Sequence, residues 1–262
     1  MPGKSRRAAP RTPARSAATR RRASASRSSL KAVQEDLVAA NRILAHHGVL
    51  DAYGHVSVRH PNDPARFLIS RSRAPELVTV ADLMVLDLEC KPAERDTRPP
   101  YLERFIHGEI YRARPEVTAM VHSHAPAVIP FAASSVELKP IYHMAGFLGR
   151  GAPVFDIRDR FGPTDLLVRN HDHGRALAES LGDSDIVLMR GHGFVAVASS
   201  LPVAVYRAIY TQLNALLQQQ AIALGGSVTY LIPEEAALTV PVQAATIMRP
   251  WELWKREIGP IK

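Results

Sequence analysis

Histidines in two closely spaced pairs are the residues best suited to chemistry in this sequence of 262 residues. His122 and His124 follow an apolar stretch, whereas His171 and His173 lie among polar residues. Side chains at positions i and i+2 of a strand point to the same face, about 7 Å apart. Two imidazoles on one face can bind one metal ion, so spacing alone permits a metal site at either pair.

The surroundings of the first pair favour metal binding. The stretch 117–121 is apolar and rich in β-formers, which predicts a strand that is buried where the pair begins. A catalytic zinc-like site needs a third ligand and an open position. His192 is the best third candidate, because Gly191 and Gly193 let the backbone bend sharply around it. The second pair lies in polar sequence that predicts a solvated loop before a helix.

An acidic residue adds to the first group. Glu103 lies at the start of a predicted helix over residues 102–113, where the helix dipole stabilises a carboxylate. His107 follows one turn later on the same face. A carboxylate near a metal can ligate it or move protons. Taken alone, however, Glu103 is more typical of an ordinary carboxylate at a helix start.

Short strands alternate with helices along the chain, which predicts α/β layers with helices on a mixed sheet. A first helix is predicted from a cap at Ser28-Ser29 to Gly48. Residues 185–198 predict two strands around the tight Gly191–Gly193 turn, and strands joined this closely must be antiparallel. A long helix is predicted over about 201–224. We expect one domain over residues 30–262.

The net charge of +8 belongs to the N-terminal tail, because residues 1–29 hold nine basic residues and no acidic one. The remaining 24 basic residues nearly balance 25 acidic ones. We expect the tail to be a disordered, solvated extension, with a non-specific nucleic-acid-binding arm or an organelle transit peptide as alternatives. Cys90, the single cysteine, excludes an internal disulfide and fits the cytoplasm. No apolar run approaches the ~20 residues of a membrane helix.

The order Glu103, His122-x-His124 and Gly-His192-Gly resembles the class II aldolase/adducin family. The stretches 54–59 and 111–124 are also similar to family sequence, and the likeness spans about residues 35 to 230. The resemblance implies an α/β fold, a three-layer α/β/α sandwich around a largely antiparallel mixed sheet. It implies one divalent metal on the three histidines, a catalytic or metal-proximal Glu103, and a homotetramer with sites at subunit interfaces.

The chain departs from the sugar-phosphate aldolases of that family where they bind phosphate with small residues. Here the turn is Arg71-Ser72-Arg73, the pair before the glutamate is Tyr101-Leu102, and the family's asparagine is His55. Guanidinium groups favour bidentate pairing with carboxylates. We therefore expect a small carboxylate substrate at Arg71, Arg73, His55, Ser72 and Tyr101; the alternative is that both arginines are plain surface cations.

A second departure is His143, which occupies the position of the aldolases' proton-donating tyrosine, and histidine is a residue type suited to proton delivery. Together the departures resemble a decarboxylase branch acting on hydroxylated pyridine dicarboxylates and phthalates. They predict non-oxidative decarboxylation of an ortho-hydroxylated aromatic or heteroaromatic dicarboxylate, with Mn²⁺ or Zn²⁺ as cofactor and Glu103 and His143 as catalytic groups. The alternatives are an aldolase for a non-phosphorylated hydroxy-acid or sugar and a non-catalytic, adducin-like interaction protein.

Overall fold

One seven-stranded sheet forms the centre of the structure. The computed structural model describes residues 17–93 and 96–261, with residues 17–28 as backbone only. The strands are β1 (His55–Arg59), β2 (Arg66–Ser70), β3 (Leu83–Asp87), β4 (Ala119–Ser123), β5 (Val154–Phe155), β6 (Ile186–Met189) and β7 (Gly193–Ala198). Their order is β3-β2-β1-β4-β7-β6-β5. Only the β5–β6 pairing is parallel, which confirms the predicted mixed, largely antiparallel sheet.

Helices cover both faces of this sheet. They are α1 (Ala17–His46), α2 (Arg104–Ala113), α3 (Ile129–Ala132), α4 (Arg158–Phe161), α5 (His171–Leu181), α6 (Leu201–Ala223), α7 (Pro233–Thr246) and α8 (Met248–Glu257). Three 3-10 helices span Pro75–Leu77, Val80–Asp82 and His143–Arg150. Within the described ranges, no helix has both the length and the apolar character needed to cross a bilayer.

Alternation along the strands divides the core into two layers. In β4, Val121 packs in the cluster that contains residues of α1, α6 and α8. Its neighbour Met120 packs in the opposite cluster, with residues of α2 and α5. Successive strand residues point to opposite faces, so one strand serves both clusters. The three-layer α/β/α arrangement expected from the resemblance is therefore confirmed.

Two helix starts differ from the sequence predictions. Helix α1 begins at Ala17 rather than at Ser28-Ser29, because the intervening Ala and Arg residues are good helix formers and a Ser inside a helix is tolerated. Helix α5 begins at His171, where a loop was expected, because the Asn170 side chain caps it by accepting the His173 N–H. Of the predicted tail, residues 1–16 lie outside the described residues.

Candidate metal and substrate site

Four side chains converge at one end of the sheet. The metal-ligating atoms of Glu103, His122, His124 and His192 all lie within 4.8 Å of one another. The His124 Nε2 atom is 3.0 Å from His122 Nε2 and 2.9 Å from His192 Nε2. A carboxylate oxygen of Glu103 is 3.6 Å from His122 Nε2 and 3.4 Å from His192 Nε2. The structure thus brings together the four residues that the sequence placed in one site.

Each ligand is placed at the end of a regular element. His122 lies in β4 and His124 just beyond it, while Glu103 immediately precedes α2. His192 occupies the turn between β6 and β7. Gly191 needs its positive φ of 64° for that turn. At Gly193, any Cβ would come within 2.0 Å of the Ser123 carbonyl oxygen, so only glycine lets β7 approach the end of β4.

Backbone carbonyls fix the orientation of two imidazoles. The Nδ1 atom of His122 lies 3.2 Å from the Phe194 carbonyl, and that of His192 lies 3.0 Å from the Leu166 carbonyl. A carbonyl oxygen only accepts hydrogen bonds, so both Nδ1 atoms carry the hydrogen and donate it. In the neutral rings both Nε2 atoms then carry a lone pair that faces the centre of the cluster. Metal-ligating histidines in proteins are commonly oriented in this way.

The donor set fits a divalent metal. A single hydrogen on His124 Nε2 can satisfy the lone pair of either His122 or His192 but not both, whereas a cation between the three rings satisfies all of them. Burial lowers the pKa of His122, and it lowers the pKa of His124 to about 4, so both rings are neutral and free to ligate near pH 7. Three imidazoles and one carboxylate suit Zn²⁺ and also Mn²⁺.

Glu103 is held as a carboxylate. Burial alone raises the pKa of this group, but contact with His122 and His192 outweighs burial and sets the pKa below its ordinary value. The same contact outweighs burial at His192, whose pKa is raised. The other carboxylate oxygen accepts the Val168 N–H at 2.9 Å, so the loop before α5 fixes the group's position.

His55 lies beside the cluster, on the same face of the sheet. It is directly opposite His122 across the β1–β4 pairing, and the two ring centroids are 4.9 Å apart. Its Nδ1 atom is 2.6 Å from Nε2 of His107. His107, which the sequence placed on the face of Glu103, therefore binds β1 rather than joining the cluster.

Tyr101 connects His55 to the arginine-bearing turn, Arg71-Ser72-Arg73. The Tyr101 ring is 4.6 Å from that of His55, and its hydroxyl donates to the Arg73 carbonyl. The Arg71 Nε atom donates to Oδ1 of Asp82 at 2.7 Å, and Arg73 Nε lies 3.4 Å from Oδ2 of the same carboxylate. Ser72 N–H donates to the Pro99 carbonyl. Asp82 was not anticipated from the sequence, because it lies nine residues beyond Arg73 in a stretch without arginine.

His143 lies elsewhere within the chain. Its carbonyl accepts a hydrogen bond from Gln243 of α7, and its side chain borders a cavity of about 670 Å³ lined by residues of α6, α7 and α8. Among the described residues, no hydrogen bond or ring contact joins His143 to Glu103 or to the three clustered histidines.

Comparison with known proteins supports the family read from the site. Residues 35–219 match the family described as Class II Aldolase and Adducin N-terminal domain. Decarboxylase tropJ of Talaromyces stipitatus is 43% identical over 239 residues, covering 82% of this chain and 90% of that protein. The 3,4-dihydroxyphthalate decarboxylase of Arthrobacter keyseri is 31% identical over 243 residues, covering 87% and 93% of the two chains.

A solved structure supports the fold. L-fuculose 1-phosphate aldolase from Glaciozyma antarctica superposes with a TM-score of 0.72 at 24% identity, covering 88% of this chain and 93% of the aldolase. This similarity shows the fold. The sequence matches confirm the family expected from the spacing of Glu103 and the three histidines, and the decarboxylase branch expected from the departures. The chain belongs to the class II aldolase and adducin family, in its decarboxylase branch.

Proposed function

We propose that this carboxy-lyase removes CO₂ without oxidation from an aromatic or heteroaromatic dicarboxylate that carries a hydroxyl ortho to the departing carboxylate. The observation that carries the proposal is the pairing of a metal-type cluster with an arginine-bearing turn on the same sheet. The similarity to the Arthrobacter relative, a 3,4-dihydroxyphthalate decarboxylase, supports this substrate class. The alternatives, an aldolase and an adducin-like interaction protein, lack a comparable observation in their favour.

In this proposal His122, His124 and His192 hold a divalent ion, Mn²⁺ or Zn²⁺. When bound, the ion supplies a Lewis acid that stabilises negative charge on the substrate's ring oxygen. Two of the three imidazoles are already oriented by the Phe194 and Leu166 carbonyls, so little reorganisation accompanies binding. Intact ligands at all of these positions argue against a purely structural, adducin-like role.

Glu103 is the proposed proton carrier. Decarboxylation breaks the bond between the ring carbon and the carboxylate carbon, and the electron pair remains on the ring carbon, which then takes up a proton. Because Glu103 is ionised beforehand, it must first gain that proton, and the substrate's ortho hydroxyl is the nearest chemical source. Glu103 thus acts as base toward the hydroxyl and then as acid toward the carbon.

Arg71 and Arg73 are proposed to bind the second, non-reacting carboxylate, with Ser72, Tyr101 and His55 lining the same region. Asp82 engages both guanidinium groups mainly through Nε. Among the described residues, the two terminal nitrogens of Arg71 donate no hydrogen bond, so they remain available to a carboxylate. Tyr101 connects this turn to His55 and so to the cluster.

In this proposal His143 takes part in catalysis only when copies of the chain assemble into an oligomer. It lies on the α6–α7 side of its own chain, so it reaches a cluster only if that cluster belongs to a neighbouring copy. A homotetramer with sites at subunit interfaces provides such a neighbour. Mixing a His143→Ala chain with a His122→Ala chain tests this, because shared sites regain activity in the mixture whereas independent sites do not.

A substrate panel tests the proposed function directly. Hydroxyphthalate and hydroxypyridine dicarboxylates, with Mn²⁺ or Zn²⁺ added, are expected to release CO₂. Analogues without the ortho hydroxyl, or without the second carboxylate, are expected to react at least about tenfold more slowly, since one charge-assisted contact is worth about 1.5–3 kcal/mol. Release of pyruvate or an aldehyde from hydroxy-acids, without CO₂ from any dicarboxylate, would instead identify an aldolase.

A further inference from the structure

A buried chain of polar side chains runs from helix α2 to the edge of the site, and the mechanism above leaves it without a role. Tyr111 and Ser57 hydroxyls are 2.8 Å apart, and the Ser57 hydroxyl is 2.6 Å from Nδ1 of His107. Nε2 of His107 is 2.6 Å from Nδ1 of His55. All four residues are at most 3% exposed, so water does not supply alternative partners along the chain.

The far end of the chain sets the direction of its hydrogen bonds. The Tyr111 hydroxyl has two acceptors within reach, Ser57 Oγ at 2.8 Å and the Thr118 carbonyl at 3.5 Å. The Thr118 carbonyl lies beyond the usual range of about 2.5–3.0 Å for an O–H···O bond and also accepts the Arg59 N–H at 2.7 Å, whereas Ser57 Oγ lies within that range. The Arg59 guanidinium also lies 4.6 Å above the Tyr111 ring, and a cation there makes the phenol a better donor. Tyr111 therefore donates to Ser57.

The remaining bonds follow in sequence. Ser57 has accepted from Tyr111, so its own hydrogen goes to Nδ1 of His107. A neutral imidazole has one donor and one acceptor nitrogen, so His107 carries its hydrogen on Nε2 and donates it to Nδ1 of His55. By the same rule, His55 carries its hydrogen on Nε2. That atom makes no hydrogen bond among the described residues and is not one of their fully buried unpaired polar atoms, so it borders open space.

We propose that Tyr111, Ser57 and His107 are positioning residues that hold His55 in the Nε2–H tautomer, so that His55 presents an uncharged N–H donor to a substrate oxygen. The donor lies between the Tyr101 ring and the His122 ring, at 4.6 and 4.9 Å between centroids. Its role as a substrate contact rests on the proposed function. The tautomer itself is a property of the protein without substrate or metal.

The hydrogen-bonded side chains of Tyr111, Ser57 and His107 orient His55 but do not deliver a net proton to the site. Burial lowers the pKa of His107 to about 3 and raises the pKa of Tyr111, so neither group changes its charge near neutral pH. Passing a proton outward through His55 would leave a buried phenolate at Tyr111, which burial disfavours. An uncharged donor also suits this position, because a cationic imidazole beside the metal-binding histidines would repel a bound ion.

Nitrogen NMR of metal-free protein labelled at histidine tests the tautomer. Two-bond proton–nitrogen spectra distinguish Nε2–H from Nδ1–H rings, and the signals of His55 are identified by their loss in His55→Gln. We expect the Nε2–H pattern for His55 in the wild type. In Ser57→Ala the His55 nitrogen shifts should move toward a mixture of tautomers, and Tyr111→Phe should move them in the same direction but less.

Thr211→Val is the matched control, since it removes a buried hydroxyl that donates only to the Arg207 carbonyl within α6. It should leave the His55 signals unchanged. An Nδ1–H pattern for wild-type His55, or His55 shifts that are identical in wild type, Ser57→Ala and Tyr111→Phe, would overturn the proposal. Having two variants keeps the test valid if one of them does not fold.

Steady-state kinetics then test the link to substrate binding. Ser57→Ala should raise KM for the dicarboxylate about tenfold, the value of one hydrogen bond, with a smaller effect on kcat. His55→Gln, which keeps an N–H donor, should retain more affinity than His55→Phe, which has none. Equal KM in these two variants would overturn the role in binding. Absence of CO₂ release from wild type with every substrate refutes the proposed function instead, and the tautomer result stands apart from it.

Discussion

His122 and His124 lie at the end of strand β4, whereas His171 and His173 occupy the first turn of helix α5. The first two rings meet at their Nε2 atoms, 3.0 Å apart. The second two diverge: His171 Nδ1 contacts the Glu109 carboxylate at 2.5 Å, and His173 Nδ1 contacts the Leu167 carbonyl at 3.2 Å. Each ring of the second pair has a protein partner of its own.

The difference shows that the secondary-structure element, and not the spacing in sequence, decides whether the two rings of a His-x-His pair can meet. Residues two apart share a face on a strand but lie about 200° apart around a helix, which turns 100° per residue. Two other segments bring His192 and Glu103 to the pair at the end of β4. Helix α5 instead packs against α2, which contributes Glu109. Four predictions test this contrast, in order of expected size.

Removing a ring from each pair should give the largest difference. His122→Ala should lose bound metal and reduce CO₂ release at least about 10³-fold, since metal catalysis is worth several kcal/mol. His173→Ala should keep both within about twofold of wild type. Metal content of purified protein and CO₂ release measure the two effects. Full metal content in His122→Ala would contradict the assignment of the cluster.

Removing the positive charge of Arg71, in the turn Arg71-Ser72-Arg73, tests the contrast through substrate binding. Arg71→Gln should raise KM for a dicarboxylate about 10- to 100-fold, because a charge-assisted contact worth 1.5–3 kcal/mol is lost, with little change for a monocarboxylate. Arg175→Gln, at an exposed position of α5, serves as the control for loss of a cation. An Arg71→Gln enzyme with unchanged KM would show that Arg71 is a surface cation bound to Asp82.

Acid should destabilise the fold beside the cluster of Glu103 and the three histidines, because His55 and His107 are buried there in the neutral form. Burial lowers the pKa of His55 well below its ordinary value, and that of His107 to about 3. The unfolded chain binds protons below about pH 6.5 and the folded chain does not, so stability present above pH 6.5 is lost as pH falls. Each ring should contribute up to about 1.4 kcal/mol per pH unit.

Urea unfolding of metal-free protein at pH 7, 6 and 5 measures this slope. His107→Gln should reduce the slope of unfolding free energy against pH by the contribution of about one proton. His173→Gln provides a comparison outside the buried network. An unfolding free energy that stays flat between pH 7 and 5 would show that His55 and His107 are not buried in the neutral form.

The smallest effect is expected at the second pair. His171→Ala removes the contact with Glu109, whose side chain is only 4% exposed. Arg112 stays near that carboxylate at 3.6 Å, so the expected loss is about 1 kcal/mol of unfolding free energy with unchanged CO₂ release. Lost activity in this variant would mean that the second pair has a chemical role after all.

Much of the site was predictable because its ligands lie where elements end. Glu103 before a helix, His122 and His124 at a strand end, and His192 between glycines are each visible in local sequence. The start of α5 was missed although Asn170 carries a capping side chain, because a polar cap resembles a loop in sequence. The strand order, by contrast, depends on which strands pair, and only the tight β6–β7 turn revealed one of those pairings.

Long-range polar partners were not predictable in this way. His55 and Ser57 share a face of β1 by simple alternation, but their bonding to His107 and Tyr111 depends on how α2 packs across the sheet. The capture of Arg71 and Arg73 by Asp82 similarly depends on the path of the chain between β2 and β3. Such contacts are set by tertiary packing, which local patterns do not encode.

The central claim is tested most directly by CO₂ release from an ortho-hydroxylated phthalate or pyridine dicarboxylate after metal removal and metal return. Metal-free protein should be inactive, and one equivalent of Mn²⁺ or Zn²⁺ per chain should restore formation of one CO₂ and one ring monocarboxylate per substrate consumed. Protein that binds one metal per chain and releases no CO₂ from any member of the panel, or that releases CO₂ equally well without metal, would contradict the account.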